Sequence, residues 1–182
     1  MNDLSLPKGW EWKKLGEVVL FKGGSQPPKN EFSDIPKPNF VRLIQIRDYK
    51  SNNYITYVNA DSVKKFCEEN DVMIGRYGPP VFQILRGLKG AYNVALIKAI
   101  PNEALLLKDY LFWFLQNSQI QDHIISLSQR SAGQSGVDKN ALEKFKILIP
   151  PLPEQRRIVA KIDAAFTQLD EAIQLQKQNL AR

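Results

Sequence analysis

Three short stretches concentrate side chains that make directional hydrogen bonds. "FKGGSQPP" (residues 21–28) carries Lys22, Ser25 and Gln26. "GRYGPPVFQILRGLKG" (75–90) carries Arg76, Tyr77, Gln83, Arg86 and Lys89, and "SQRSAGQSG" (128–136) carries Gln129, Arg130, Ser131, Gln134 and Ser135. "QIRDYK" (45–50) adds Arg47, Tyr49 and Lys50. Arginine presents a fork that matches guanine, and the glutamine amide matches adenine. Lysine, serine and backbone N–H groups suit phosphate, and the glycines let another backbone approach closely. This is the chemistry of reading a polyanion. Each of these residues also reads as an ordinary solvated loop side chain, and the sequence leaves both readings open.

The residues that turn substrates over are scarce. The chain has one histidine, His123, inside a helix-like stretch, and one cysteine, Cys67. A lone cysteine excludes an internal disulfide framework and any multi-cysteine zinc site. There is no Asn-Pro-Pro-Tyr methylation motif and no Walker-type lysine loop. "EWK" at 11–13 has the shape of half a nuclease motif but lacks an upstream Pro-Asp partner. His123 and Cys67 are expected to be structural, and no catalytic residue, metal or cofactor is expected.

The elements that must position these loops are short. "FVRLIQIRDYK" alternates apolar and polar residues, with Phe40, Arg42, Ile44 and Ile46 on one face, and predicts a strand, as does "YITYVN". "ADSVKKFCEEN" predicts a short helix capped by Asp61 or Ser62. "DVMIGRYG", "PPVFQIL" and "GAYNVALIKAIP" predict three strands punctuated by Gly and Pro. Residues 107–127 space Leu111, Phe114, Leu115, Ile120, Ile124 and Leu127 as one amphipathic helix. "VDKNALEKF", with Asp138 as its cap, and the strand "KILIP" follow. The mixture lacks a regular βαβ rhythm, so the fold class is α+β, a mixed-sheet globular part followed by a long C-terminal helix.

That helix follows the prolines of "IPPLPEQ" and runs to residue 182 without Pro or Gly. Val159, Phe166, Ile173 and Leu180 fall on heptad position a; Ile162 and Leu169 fall on d, with Gln155 and Gln176 also at d. A narrow seam of this kind suits a two-stranded coiled coil. At about 1.5 Å per residue the helix would reach on the order of 40 Å, longer than a small domain is wide. Folding back along its own globule is the competing reading.

Composition agrees with an anionic partner. The 182 residues carry net charge +6. The first 153 hold 20 Lys/Arg against 15 Asp/Glu, whereas the helix from 154 holds five against four. The basic excess therefore sits in the globular part, where neutralising phosphates would release counterions. No apolar run approaches the roughly 20 residues of a membrane span. The N-terminus "MNDLSLPKGW" has no export pattern, so a cytoplasmic location is expected.

Several motifs resemble a known family. "VDKNALEKFKILIPPLPEQRRIVAKID" is similar to the junction in specificity (S) subunits of type I restriction-modification systems, where a target-recognition domain meets a spacer helix. "LPKGWEWKKLGEVVLFKGGSQP" resembles the family's start, and "ENDVMIGRYGPPVFQILRGLKGAYNVALIKAIP" and "SAGQSGVDKNAL" resemble its middle and last turn. The resemblance implies residues 1–150 as a target-recognition domain and 151–182 as a spacer and dimerisation helix.

It also implies a non-catalytic subunit that reads double-stranded DNA and docks methyltransferase (M) subunits, and through them restriction (R) subunits. Members usually carry two recognition domains and two helices; this sequence has one of each, resembling half of such a subunit, naturally short or truncated. A second copy is then expected to supply the missing helix, giving a homodimer paired through Val159, Ile162, Phe166, Leu169, Ile173 and Leu180. Expected DNA contacts are Lys22, Ser25, Gln26, Arg47, Tyr49, Arg76, Gln83, Arg86, Lys89, Arg130, Gln134 and Ser135. Expected methyltransferase contacts are Glu154, Gln155, Arg156 and Arg157. The rival reading is a small stand-alone nuclease or methyltransferase.

Overall fold

The computed structural model describes residues 6–130 and 136–180. It is an α+β fold. A two-stranded ribbon pairs β1 (Glu11–Lys14) with β10 (Lys146–Ile149). An antiparallel sheet runs β2 (Val19–Gly23), β9 (Leu96–Pro101), β6 (Val72–Gly75), β7 (Gln83–Leu85). A second sheet runs β4 (Tyr57–Asn59), β3 (Phe40–Ile44), β8 (Gly90–Tyr92), β5 (Phe66–Cys67), and there β3 and β8 are parallel. The helices are α1 (Leu15–Val18), α2 (Lys108–Leu115), α3 (Ser118–Arg130), α4 (Lys139–Lys144) and α5 (Leu152–Leu180).

The larger core lies between the first sheet and the helices. Phe21, Val72, Ile74, Ile97 and Ala99 meet Leu111, Leu115, Ile120, Ile124 and Leu142 there. A smaller cluster joins the two sheets: Ile44, Cys67 and Tyr92 from one against Met73 and Leu96 from the other. Alternation in β6 and β9 supplies both faces, since Ile74 turns to the helices and Met73 to the second sheet. Cys67 is thus core, and burial pushes its thiol up to about 11.

Two expected elements are corrected. Residues 60–70 form no α-helix: Asn59 caps a single 3-10 turn at Ala60–Ser62, its side chain accepting from the Asp61 N–H, and β5 follows. The pairing of Phe66 with Ala91 outweighs local helical preference. The predicted helix over 107–127 is two helices. The Asn117 side chain accepts from the Gln119 N–H and opens a new helix at Ser118, after a two-residue break that follows Leu115. The Asp138 cap is present as expected, accepting from the Asn140 and Ala141 N–H groups. Four strands, β6 to β9, stand where three were read, because the Gly90–Tyr92 pairing ends before Leu96 begins its own.

The long helix α5 lives in two environments. Gln155 is fully buried: its Oε1 accepts from the Leu107 N–H, and its amide donates to the Leu105 and Pro150 carbonyls. Val159 is buried beside it. One turn on, Trp113 of α2 donates from Nε1 to Asp163 and stacks on Phe166 at 4.8 Å between ring centroids. Beyond Phe166 the helix leaves the globule, and Leu169, Ile173, Leu175 and Leu180 are exposed. The heptad reading is therefore corrected at its start: the globule itself covers Val159, and Gln155 is an interior strut.

Candidate nucleic-acid interface

The four segments named for recognition come from distant parts of the chain, and backbone hydrogen bonds gather most of them on one rim. β2 ends at Gly23; the Gly24 N–H then donates to the Leu96 carbonyl and the Ser25 N–H to that of Tyr92. Asn93 donates to Ile44 at the end of β3, and Arg76 donates to Ala95 just after β6. The C-terminal ends of β2, β3, β6 and β8 thus converge around residues 92–96. Gly24 is required here, because a Cβ would land on the Asn93 carbonyl.

Lys22 is exposed on this rim, with Ser25 and Gln26 half-buried behind it. Arg76 lies 5.0 Å from the centroid of the Tyr77 ring. Gln83 sits across from Gly75 in the β6–β7 register, its amide donating to the Pro80 carbonyl. The Val137 N–H donates to the Arg76 carbonyl, and Gly136 lies against the Tyr77 ring, so these two residues sit on the same rim. Gln134 and Ser135 lie outside the described residues, and Arg130 is described only as the end of α3.

The segment after β3 completes the rim. Ile46 would meet a Cβ built at Gly75, which seats this turn against β6. Arg47 is exposed; its guanidinium donates to the Tyr54 carbonyl and lies 5.7 Å from the Tyr54 ring. Tyr49 behaves differently from its expected role. Its hydroxyl is buried, burial raises its pKa, and its ring packs on the inter-sheet cluster. It props the turn from beneath.

Asp48 is buried beside it, and burial raises the carboxyl pKa despite the Gln45 N–H and the Arg42 and Arg47 guanidiniums. Arg42 Nε stands 3.9 Å from Asp48 Oδ2. Arg42 Nε, Asp48 Oδ1 and the Tyr49 hydroxyl have no hydrogen-bond partner among the described residues.

Two expected contacts lie elsewhere. Arg86 and Lys89 follow β7 toward the opposite strand ends, since Leu85 faces Met73 while Gln83 faces Gly75. Arg86 pairs with Asp109 at 2.9 Å and lies over the Phe112 ring at 3.8 Å, bracing α2. Lys89 pairs with Glu68 at 2.9 Å. Near them Asp71 is buried between Lys98 and Lys108 at 2.6 and 2.9 Å. Burial works to raise its pKa, but the Glu68 N–H and both ammonium groups outweigh it and hold the carboxyl at about 2.

The sequence reading missed Asn52, Asn53 and Tyr54, which line a groove of about 690 Å³ with Phe32, Asp34 and Arg47. Their signal was present as consecutive amides beside an aromatic residue, a pairing suited to base edges and base faces.

The remaining grooves offer little for catalysis. One of about 600 Å³, lined by Trp12, Phe114, Ile120, Phe145 and Leu148, holds Lys146 as its one ionisable side chain. His123 is exposed, its ring 5.4 Å from that of Phe145, and the nearby Asp138 is engaged in capping α4. Among the described residues no three His, Cys, Asp or Glu side chains cluster as metal ligands, and no helix is long and apolar enough to cross a membrane.

At the expected docking turn, Glu154 and Arg157 form an ion pair with each other, and Arg156 is exposed. Gln155, buried and fully bonded, is withdrawn from that set.

Known proteins share this arrangement. The chain is 25% identical over 170 residues to the type I restriction enzyme MjaVIII specificity subunit of Methanocaldococcus jannaschii, covering 93% of this chain and 38% of the relative. It is 26% identical over 164 residues to the EcoR124I/EcoR124II specificity subunit of Escherichia coli, covering 84% and 40%. It therefore spans about two-fifths of these relatives' length.

The crystal structure of the HsdS subunit from Thermoanaerobacter tengcongensis superposes with a TM-score of 0.72 at 24% identity, covering 93% of this chain and 40% of that one. A chain from a structure of a type I R-M system gives 0.75 at 24% identity, covering 98% and 43%. At these identities the likeness establishes the fold. The family described as "Type I restriction modification DNA specificity domain" matches residues 7–182, and the chain belongs to that family.

Proposed function

We propose that this chain is a non-catalytic DNA reader of a type I restriction-modification assembly, working in the cytoplasm on double-stranded DNA. The rim at the strand ends reads one half of a split target. Lys22, Ser25 and the backbone beside Gly24 hold phosphate; Gln26, Arg47, Arg76 and Gln83 reach toward base edges, with Asn53 and Tyr54 beside them. Arg130, Gln134 and Ser135 are assigned to the same set on their chemistry and their closeness in sequence to Gly136 and Val137. The single observation that carries this reading is the convergence of Lys22, Ser25, Arg47, Arg76 and Gln83, from separate segments, on one edge of a basic globule.

The chemistry belongs to partners. Glu154, Arg156 and Arg157, on the first turn of α5, offer a charged surface to a methyltransferase subunit, through which a restriction subunit joins. The bare seam of α5 pairs with a second copy of this chain, which places two identical readers on one duplex. Half-site spacing then follows from the helix, as it does wherever protein symmetry dictates DNA spacing.

The test is DNA binding by the chain assembled with its methyltransferase, measured against salt. Arg76→Ala and Arg130→Ala should each weaken binding, and loss of a phosphate contact should flatten the salt slope by about one unit. Unchanged binding and slope in both variants would remove the rim from the interface.

A further inference from the structure

The exposed half of α5 is complementary to itself in one antiparallel register. This rests on the homodimer proposed above and adds which residues meet. The seam beyond Val159 consists of half-buried Ile162 and exposed Phe166, Leu169, Ile173, Gln176 and Leu180, with Asp163, Asp170 and Lys177 flanking it at the e positions. Trp113 stacks on one side of Phe166, so the globule crowds the seam at that end. A parallel pair would bring both globules to the same level of the seam and set Gln176 on its own copy. An antiparallel pair sends each globule to the opposite end and pairs every a position with a d position.

Antiparallel pairing on this seam has three registers, one heptad apart, that keep at least four layers. We infer that the chains pair with Leu169 opposite Ile173 of the second copy, Ile162 opposite Leu180, and Phe166 opposite Gln176. The layers flanking the two-fold axis are then apolar on both sides. Asp163 of each copy lies beside Lys177 of the other, and Ala172 meets Ala172 at closest approach. Asp170 is the one charged flanking residue that faces its own copy.

Sliding one way sets Asp163 against Asp170 on both sides and calls on Val159, which the globule already covers. Sliding the other way sets Ile173 against Gln176 in both central layers. Facing carboxylates and the covered Val159 rule out the first slide; the second gains Asp170–Lys177 pairs but keeps only four layers, two of them holding Gln176, so apolar matching decides against it.

The experiment mixes chains bearing one introduced cysteine each, in the full protein; Cys67 is buried and stays silent. Leu169→Cys chains mixed with Ile173→Cys chains should form the disulfide at least about tenfold faster than Ile173→Cys with Gln176→Cys, or Ile162→Cys with Ile173→Cys, because disulfides need close Cα atoms. Faster reaction of either other pair overturns the register and leaves the homodimer standing. Fastest self-reaction of Ile173→Cys chains means parallel pairing and overturns it too.

A protein that stays monomeric at high concentration and cross-links in no pair overturns both inferences and leaves the seam for another chain. Sedimentation of Asp170→Asn gives a second reading. Relief of the facing carboxylates should tighten the dimer about twofold. Weakening would mean that Asp170 faces Lys177 and would overturn the register.

Discussion

The two halves of α5 share one heptad pattern and one unbroken helix, yet they do opposite work. From Leu152 to Asp163 the pattern is taken up by the globule: Gln155 is bonded three times, Val159 is covered and Asp163 is held by Trp113, while Phe166 keeps one face on Trp113 and the other in solvent. From Leu169 to Leu180 the same spacing faces solvent, with Ile173 38% and Leu180 81% exposed. A periodic apolar stripe states that a partner exists. It does not say whether the partner is the same chain.

The contrast can be broken at either half. Gln155→Ala should be the costliest change, about 3–4 kcal/mol, because it strands the Leu107 N–H and the Leu105 and Pro150 carbonyls in the interior. Chemical denaturation reads it, and a loss below about 1 kcal/mol would deny the strut role. Ile173→Asp should act in the other direction. Self-association should weaken by about a hundredfold, near 3 kcal/mol, as a charge enters an apolar layer. The unfolding midpoint of the globule should stay put, and a fall in it would show that the distal helix serves its own globule.

Acid sharpens the contrast more gently. Asp71 titrates at about 2 in the folded state against roughly 3.9 unfolded, so its stabilisation is full above pH 4 and disappears as pH falls from 4 toward 2. The loss is about 2 kcal/mol, and it falls on the globule. In Asp71→Asn that part of the acid-dependent destabilisation should be missing from denaturation curves taken across this range.

The smallest effect belongs to the junction. Trp113→Ala removes an aromatic stack and the hydrogen bond to Asp163, and should cost about 1–2 kcal/mol. Trp113→Phe should restore most of the packing. Its informative readout is the preferred half-site spacing, which should broaden if this contact aims the helix.

Legibility in the sequence follows the same division. Local chemistry was readable: the Asp138 cap, the proline-led start of α5, the β10 strand and the α+β class all came from neighbouring residues. So did the loops that furnish Lys22, Gln26, Arg47 and Arg76. Long-range pairing was not. β5 became a strand because Phe66 meets Ala91, a partner 25 positions away that outweighs its own helix-like neighbourhood. Gln155 looked like a polar seam position, because nothing local reveals that three backbone groups from residues 105, 107 and 150 await it.

The rim shows a similar limit. Arg76 and Arg86 read alike in one loop, but a single β-turn sends them to opposite ends of the sheet, and Asp109 neutralises the second. Tyr49 turned inward for the opposite reason from Arg47, its near neighbour: the turn after β3 has one side against the inter-sheet cluster and one toward solvent.

The central claim is that two copies of one inert reader grip a single duplex for a partner's chemistry. Mapping methylated sites in a host that expresses this chain as its sole specificity subunit, with the cognate methyltransferase, tests it most directly. The account predicts a split motif whose two halves are inverted copies, abolished by Ile173→Asp. An undivided or asymmetric motif, or methylation that survives Ile173→Asp unchanged, would contradict it.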